Sequence, residues 1–138
     1  MKTIKFFASL GVIPGYFHNN IIDTVENNVF KANTDLNRIT KIWQDCAKES
    51  LTKGLCTYHV SAMFMDSLTV YNMDFGCPYG GEKTVFITGD ANPYFITDLD
   101  TYKKDVLYVL KQVSIKLKQS TTQISFSEVD YEYIKNEL

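Results

Sequence analysis

Hydrophobic residues recur at helical spacing in two long segments, Thr34–Lys53 and Thr97–Gln119. The stripe of the second segment has 3.6-residue spacing and is made by Leu99, Tyr102, Val106, Val109, Leu110, Val113 and Leu117. The stripe of the first is made by Leu36, Ile39, Trp43, Ala47 and Leu51, and Gly54 follows where a C-terminal cap belongs. Thr97 and Asp100 resemble a capping box at the start of the second segment. The pattern predicts two amphipathic helices.

Shorter segments alternate between apolar and polar residues, which predicts strands. They are Lys2–Leu10, Thr57–Met65, Leu68–Phe75, Thr84–Thr88 and Thr122–Tyr133. The second and third are expected to form a hairpin through a tight turn at Asp66-Ser67. In the last strand the alternation changes phase, which predicts a β-bulge near Ser127–Glu128. The segment Gly11–Asn33 fits a helix or a strand, and we expect one element in it.

This order of elements predicts one α+β domain over residues 1–138. We expect a single antiparallel or mixed sheet of about five strands with two main helices packed on one face, as in a decorated ferredoxin-like sandwich. The other face would then carry apolar side chains from Met63, Met65, Tyr71, Met73 and Tyr131. Such a face is too apolar to be left in water, so either Gly11–Asn33 or a second subunit should cover it.

Composition narrows the classes of partner. The formal charge of −2 and the single arginine beside thirteen lysines make a nucleic-acid partner unlikely. The remaining nucleic-acid hypothesis rests on Lys104, Lys111 and Lys118, and a solvated helix face explains them better.

No apolar run is long enough for a membrane span, so no membrane partner is expected. Three cysteines without regular spacing favour a reducing, cytoplasmic setting. The Asn, Ile, Tyr and Lys content is typical of a low-GC bacterium or phage.

The segment "GCPYGGE" from Gly76 to Glu82 is the first candidate site. Pro78 restricts Cys77 to an extended conformation, and Gly80-Gly81 permits a sharp reversal of the chain. This geometry could present the thiol of Cys77 beside Tyr79 and Glu82. A nucleophilic cysteine needs a histidine, a lysine or a helix N-terminus to favour its thiolate. The alternative is a wide turn whose glycines only satisfy backbone geometry, and we favour it.

The segment "GDANPYF" is the second candidate site. Asp90, Asn92 and Tyr94 follow the expected central strand, at a position where polar side chains of α/β sheets often contact ligands. Gly89-Asp90 and Asn92-Pro93 are also turn dipeptides, so a simple connection from strand to helix is the favoured alternative. The two segments together define one hypothetical pocket closed by Gly76–Lys83 and Ala91–Phe95.

Metal and cofactor sites are not predicted. Cys56, His59 and Cys77 are the only residues that suggest a zinc site. Cys56 and His59 are three residues apart on an expected strand, so their side chains would point to opposite faces and could not bind the same ion. The sequence has no P-loop and no dinucleotide-binding glycine motif. The nine tyrosines instead suggest a contact surface, because tyrosine is large, stiff and half polar. The candidate interface residues are Tyr108, Ile115, Tyr131 and Tyr133.

Two functional hypotheses follow. The main one is a small non-enzymatic binding or interaction protein that self-associates or binds a protein partner, as an accessory protein of a bacterium or mobile element. It depends on the absence of a catalytic motif, on the tyrosines and on the apolar sheet face. The alternative is an enzyme or small-ligand-binding protein whose site lies at the Gly76–Lys83 and Ala91–Phe95 loops.

Overall fold

The computed structural model describes residues 1–12 and 36–137. Over this part of the chain it contains four strands, two α-helices and one short 3₁₀ turn at Met73–Phe75. The elements in chain order are β1 (Lys2–Gly11), α1 (Leu36–Thr52), β2 (Met63–Thr69), β3 (Glu82–Asp90), α2 (Leu99–Lys116) and β4 (Gln123–Asp130). The α+β class and the two helices with one antiparallel sheet are therefore confirmed.

The four strands form one sheet in the order β2-β3-β1-β4, and each neighbouring pair is antiparallel. The central pair, β1 with β3, aligns Gly11 with Thr84 at one end and Lys5 with Asp90 at the other. The described elements follow the order βαββαβ, which is the split βαβ arrangement. We predicted about five strands, and the described residues form four.

Alternation along β1 separates the two faces of the sheet. Ile4, Phe6, Ala8 and Leu10 belong to the buried core, together with residues of both helices. Phe6 stacks on Trp43 of α1, with the two ring centroids 6.3 Å apart. The indole N–H of Trp43 donates a 2.9 Å hydrogen bond to the carbonyl of Val60. The same tryptophan therefore fills the core and anchors the chain that leads into β2.

The predicted hairpin of Thr57–Met65 and Leu68–Phe75 is wrong. Asp66 and Ser67 lie inside β2, which pairs with β3 along its length. The chain before β2 is held by side chains instead of a strand partner, because Asp105 of α2 accepts hydrogen bonds from the backbone N–H groups of Thr57 and Tyr58 at 3.0 and 2.8 Å. Here a carboxylate accepts the backbone hydrogen bonds that a neighbouring strand would otherwise accept. The alternation of apolar and polar residues in the sequence does not reveal this contact.

Two smaller expectations about element ends are also wrong. Helix α2 is capped by Asp98, whose carboxylate accepts from the N–H of Thr101 at 3.1 Å, and not by Thr97 with Asp100. The register between β1 and β4 is continuous through Ser127 and Glu128, so the predicted bulge is absent. The side chain of Glu128 lies on the same face as the partly buried Phe126 but is exposed, which accounts for the change of phase without a bulge.

Gly89 was read as part of a turn, but it lies within β3. A Cβ atom at this position would collide with the carbonyl oxygen of Ser61 and would lie 2.8 Å from Cε1 of Phe6. The glycine therefore allows the segment before β2 to cross closely over the sheet.

The second face of the sheet carries Met63 and Met65, the position expected from the sequence. They are 64% and 50% exposed, so the cover that we expected over this face stays a prediction. Most of the segment Gly11–Asn33, which we expected to contain one element, lies outside the described residues.

Within the described residues, no helix combines the length and hydrophobicity needed to cross a membrane.

The two hydrogen bonds of Asp105 generate a stability prediction. Asp105→Ala should lower the free energy of unfolding by about 2–3 kcal/mol, because two backbone donors lose a charged acceptor in a site where Asp105 is 5% exposed. Urea unfolding monitored by Trp43 fluorescence measures the change. Asp45→Ala, at an exposed position of α1, is the matched control and should stay within about 0.5 kcal/mol. Equal effects of the two substitutions would contradict the role given to Asp105.

Candidate functional site

The two candidate loops lie at opposite ends of β3. Glu82 begins this strand and Asp90 ends it, so eight residue steps of about 3.3 Å place them roughly 26 Å apart. The structure therefore does not bring Gly76–Lys83 and Ala91–Phe95 together into one pocket. It gives each end of β3 its own polar site.

Cys77 is enclosed in the turn that precedes β3. Its thiol is 5% exposed, accepts a hydrogen bond from the N–H of Tyr71 at 3.4 Å and lies 3.4 Å from the carbonyl oxygen of Pro78. Gly76, Gly80 and Gly81 all have positive φ, at 98°, 91° and 103°, so the turn itself requires them. Tyr79 is almost fully exposed at the tip. The glycines of "GCPYGGE" thus serve backbone geometry.

The other two cysteines are buried among the helices. Burial, followed by the negative charge of Asp105, raises the pKa of Cys56 to about 11. Burial also raises the pKa of Cys46, and the charge of Lys116 partly opposes this effect. No group of three or more His, Cys, Asp or Glu side chains within the described ranges could hold a metal ion.

Glu82 is the candidate residue with the most unusual surroundings. Its side chain is only 8% exposed, and Oε1 accepts a 3.1 Å hydrogen bond from the hydroxyl of Tyr71. Among the described residues no lysine, arginine or histidine lies within ion-pair distance of it. A buried carboxylate without a cation is costly, because burial favours its neutral form. Burial accordingly raises the pKa of Glu82, and the hydrogen bond from Tyr71 partly offsets the increase.

Hydroxyl groups surround this carboxylate in a small pocket of about 140 Å³. Four strand ends and the chain before β4 contribute its lining, which consists of Ser9, Gly11, Thr69, Tyr71, Glu82, Thr84, Thr121, Thr122 and Gln123. The hydroxyl of Thr84 lies 2.8 Å from those of Ser67 and Thr69. A Cβ on Gly11 would collide with Oε1 of Gln119 and would lie 3.1 Å from Oε2 of Glu82, so the glycine leaves room for both side chains. We call this the Glu82 pocket.

The sequence had placed Tyr71 only on an apolar sheet face. Its contact with Glu82 depends on β2 pairing with β3, which aligns Thr69 with Glu82 and brings the chain after β2 alongside the start of β3. The eleven-residue separation of the two side chains carries no recognisable motif. Only the strand register could have revealed the pair.

A larger cleft of about 500 Å³ lies at the other end of β3 and contains Asp90 and Asn92. Lys5 Nζ lies 2.8 Å from Asp90 Oδ1, with both side chains about a quarter to a third exposed. The side chain of Thr97 and the N–H of Asp98 hydrogen-bond the hydroxyl of Tyr58, and these bonds lower the pKa of Tyr58. We call this the Lys5–Asp90 cleft.

The four predicted interface residues fall in different places. Ile115 is exposed on α2, whereas Tyr108 lines a small cavity between the helices. Tyr131 lines the Lys5–Asp90 cleft. Tyr133 packs against Tyr94, with ring centroids 5.5 Å apart. Self-association through these residues stays a prediction.

The raised pKa of Glu82 predicts how stability changes with pH. Between the ordinary glutamate pKa and the raised folded pKa, the folded protein holds a proton that the unfolded chain has released. The free energy of unfolding should therefore fall as pH rises through this window. Glu82→Gln removes the dependence and should be more stable than the wild type above the window. Urea unfolding of both proteins over a pH series measures the difference. A wild type that gains stability over Glu82→Gln as pH rises would contradict an unpaired carboxylate.

Burial of all three thiols predicts slow chemical modification. Each should be alkylated at least ~10-fold more slowly in the native protein than in urea. Cys56 should stay protected at pH 9, because its pKa is about 11. Iodoacetamide labelling with peptide mass analysis resolves the three rates. If native Cys77 reacted as fast as in the unfolded chain, its enclosure by Tyr71 and Pro78 would be refuted.

A family model described as SAM lyase matches residues 1–135 of the 138 in the chain. No curated protein and no solved structure matches the chain. The family match contradicts the main hypothesis of a non-enzymatic binding protein and agrees better with the alternative, an enzyme with a small-molecule site. Because the match spans nearly the whole sequence, the chain belongs to the SAM lyase family.

Proposed function

We propose that this protein cleaves S-adenosylmethionine (SAM) as a lyase and that the Glu82 pocket holds the sulfonium group. The observation that carries the location is the carboxylate of Glu82, which is 8% exposed and has no cation within ion-pair distance among the described residues. SAM carries a permanent positive charge on sulfur. A buried carboxylate that lacks a counter-charge is complementary to that cation, and binding the cation removes the cost of burying the carboxylate.

The type of polar group in the pocket also suits a sulfonium. A sulfonium sulfur is bonded to three carbons and has no hydrogen to donate, so it is attracted by oxygen atoms and aromatic faces and not by a directed hydrogen bond. The lining of the Glu82 pocket offers one carboxylate, the ring of Tyr71 and several hydroxyl oxygens. The hydroxyl of Tyr71 donates to Oε1 of Glu82, which orients the carboxylate.

The Lys5–Asp90 cleft is larger but less suited to this charge. The ammonium of Lys5 lies 2.8 Å from Asp90 and already neutralises it. A pair of opposite charges this close together attracts a lone sulfonium far less than an unpaired carboxylate does. The Glu82 pocket of about 140 Å³ is too small for the whole of SAM, so it would accept the sulfonium and its nearest carbons.

A lyase that acts on a sulfonium needs few catalytic groups. The positively charged sulfur leaves as a neutral thioether, so no acid has to protonate the leaving group. The electron pair of the broken carbon–sulfur bond leaves on the sulfur, and the carbon either forms a bond to an oxygen of the substrate's own carboxylate or becomes part of a double bond as its neighbour gives a proton to Glu82. Neither route needs a water molecule or a methyl acceptor as co-substrate. The protein must hold the cation in one conformation and limit its contact with water. The carboxylate of Glu82, which is 8% exposed, supplies the charge that would hold the cation.

The test compares SAM with S-adenosylhomocysteine, which lacks the methyl group and the positive charge. Glu82→Gln should lower kcat/KM for SAM by ~100-fold, since an uncompensated cation in a buried site costs 2–5 kcal/mol. The same variant should bind S-adenosylhomocysteine about as well as the wild type does. Calorimetric titration with both ligands, and chromatography of SAM incubated without any methyl acceptor, measure the two quantities.

Glu128→Gln is the matched control, because it removes the same charge from an exposed position of β4 and should change neither quantity. Tyr71→Phe keeps the ring but removes the hydrogen bond that lowers the pKa of Glu82, so the acid limb of the SAM-binding profile should move to higher pH. If Glu82→Gln lost kcat while SAM binding stayed unchanged, Glu82 would act as a base and not as the counter-charge. Unchanged turnover in Glu82→Gln would place the site elsewhere.

A further inference from the structure

We infer that the Lys5–Asp90 cleft is a second ligand site and that it binds a zwitterionic α-amino acid. The cleft lies at the opposite end of β3 from Glu82, roughly 26 Å away along the strand. One molecule the size of SAM cannot contact both sites within a single chain. The inference therefore stands apart from the proposed location of the sulfonium.

The charges in the cleft match an α-amino acid. Lys5 Nζ and Asp90 Oδ1 are 2.8 Å apart, on neighbouring strands, and each side chain remains about a quarter to a third exposed. An ammonium has three donors and a carboxylate has two oxygens, so a single mutual contact leaves both groups with unused capacity. An α-amino acid carries its ammonium and its carboxylate on the same carbon, so its two charges are also close together. Its carboxylate can face Lys5 while its ammonium faces Asp90, which alternates the four charges.

Asp90 makes its contact with Lys5 through one oxygen. Its Oδ1 atom is out of contact with solvent and lies 2.8 Å from Lys5 Nζ. The side chain as a whole is 30% exposed, so Oδ2 is the oxygen that a ligand can reach. The ammonium of a bound amino acid would contact this second oxygen, and the bound ligand would bring no net charge into the cleft.

The remaining lining gives the ligand's side chain an apolar environment. Met63, Phe95 and Ile96 contribute apolar surface, and Tyr131 adds an aromatic ring. Asn92 accepts a 3.0 Å hydrogen bond from the N–H of Tyr94 through Oδ1, which leaves its amide N–H groups as donors. A volume of about 500 Å³ accommodates an amino acid with a long apolar or thioether side chain.

The competing explanation is that Lys5 and Asp90 only stabilise the sheet. They are direct register partners on β1 and β3, and such cross-strand pairs contribute up to about 1 kcal/mol without any ligand. That role would make no distinction between ligands with one charge and ligands with two. The probes can therefore separate the two explanations in the unmodified protein.

The experiment titrates the wild-type protein with L-methionine and two matched analogues, observed by saturation-transfer NMR and calorimetry. One analogue, 3-(methylthio)propylamine, lacks the carboxylate, and the other, 4-(methylthio)butanoate, lacks the amine. We expect L-methionine to bind at least ~10-fold more tightly than either analogue, because each analogue loses one of two charge contacts. Equal binding of the three probes, or no binding of L-methionine at millimolar concentration, would overturn the inference.

Variants then locate the binding. Asp90→Asn and Lys5→Gln should each weaken L-methionine by ~10-fold or more, and Glu82→Gln should leave it unchanged. Thermal unfolding checks that the variants are folded, and the comparison of analogues on the wild type does not depend on them. Binding that is lost in Glu82→Gln and kept in Asp90→Asn would place the amino acid in the Glu82 pocket and refute the second site. That result would leave the sulfonium proposal intact.

Discussion

The antiparallel pairing of β1 with β3 is the constraint on which the rest of the structure depends. Its register places Gly11 opposite Thr84 and Lys5 opposite Asp90, so it fixes both polar sites at once. The same pairing turns Phe6, Ala8 and Leu10 toward the helices, where they form the core. A slip of one residue would expose these side chains and would also move Gly11 away from the carboxylate of Glu82. Fold and site are therefore specified by a single register.

Glu82 illustrates a conflict between stability and function. Its carboxylate is buried among hydroxyl groups, and no described residue places a cation within ion-pair distance of it. The raised pKa of Glu82 reflects the free-energy cost of burying this charge. A glutamine of the same shape would remove that cost. A site intended only to hold the sheet together would gain nothing from the charge. The charge becomes useful when the ligand itself brings the cation, because the two buried charges then compensate each other.

The sequence predicted those parts of the fold in which each element packs one face on the core. Both helices and strand β1 were predicted from the spacing of their apolar residues, because those same residues pack together in the core. The prediction was wrong before β2, where Asp105 and Trp43 satisfy the backbone of Thr57, Tyr58 and Val60 in place of a neighbouring strand. Glu82 and Asp90 were selected as candidates, but they were assigned to one pocket. Their separation follows from the length of β3, whose bounds the pattern had made shorter.

The absence of a catalytic motif led the sequence interpretation away from an enzyme, and the chemistry of SAM explains why that inference was weak. Recognisable motifs belong to reactions that need an activated nucleophile, a metal ion or a phosphate cradle at fixed spacing. A sulfonium substrate arrives with its leaving group already activated. The protein then needs one buried counter-charge and a shaped, hydroxyl-lined pocket. In the site that we propose, those groups come from several separate strand ends. Residues assembled in this way have no common spacing, so such a site is visible only once the register of the sheet is known.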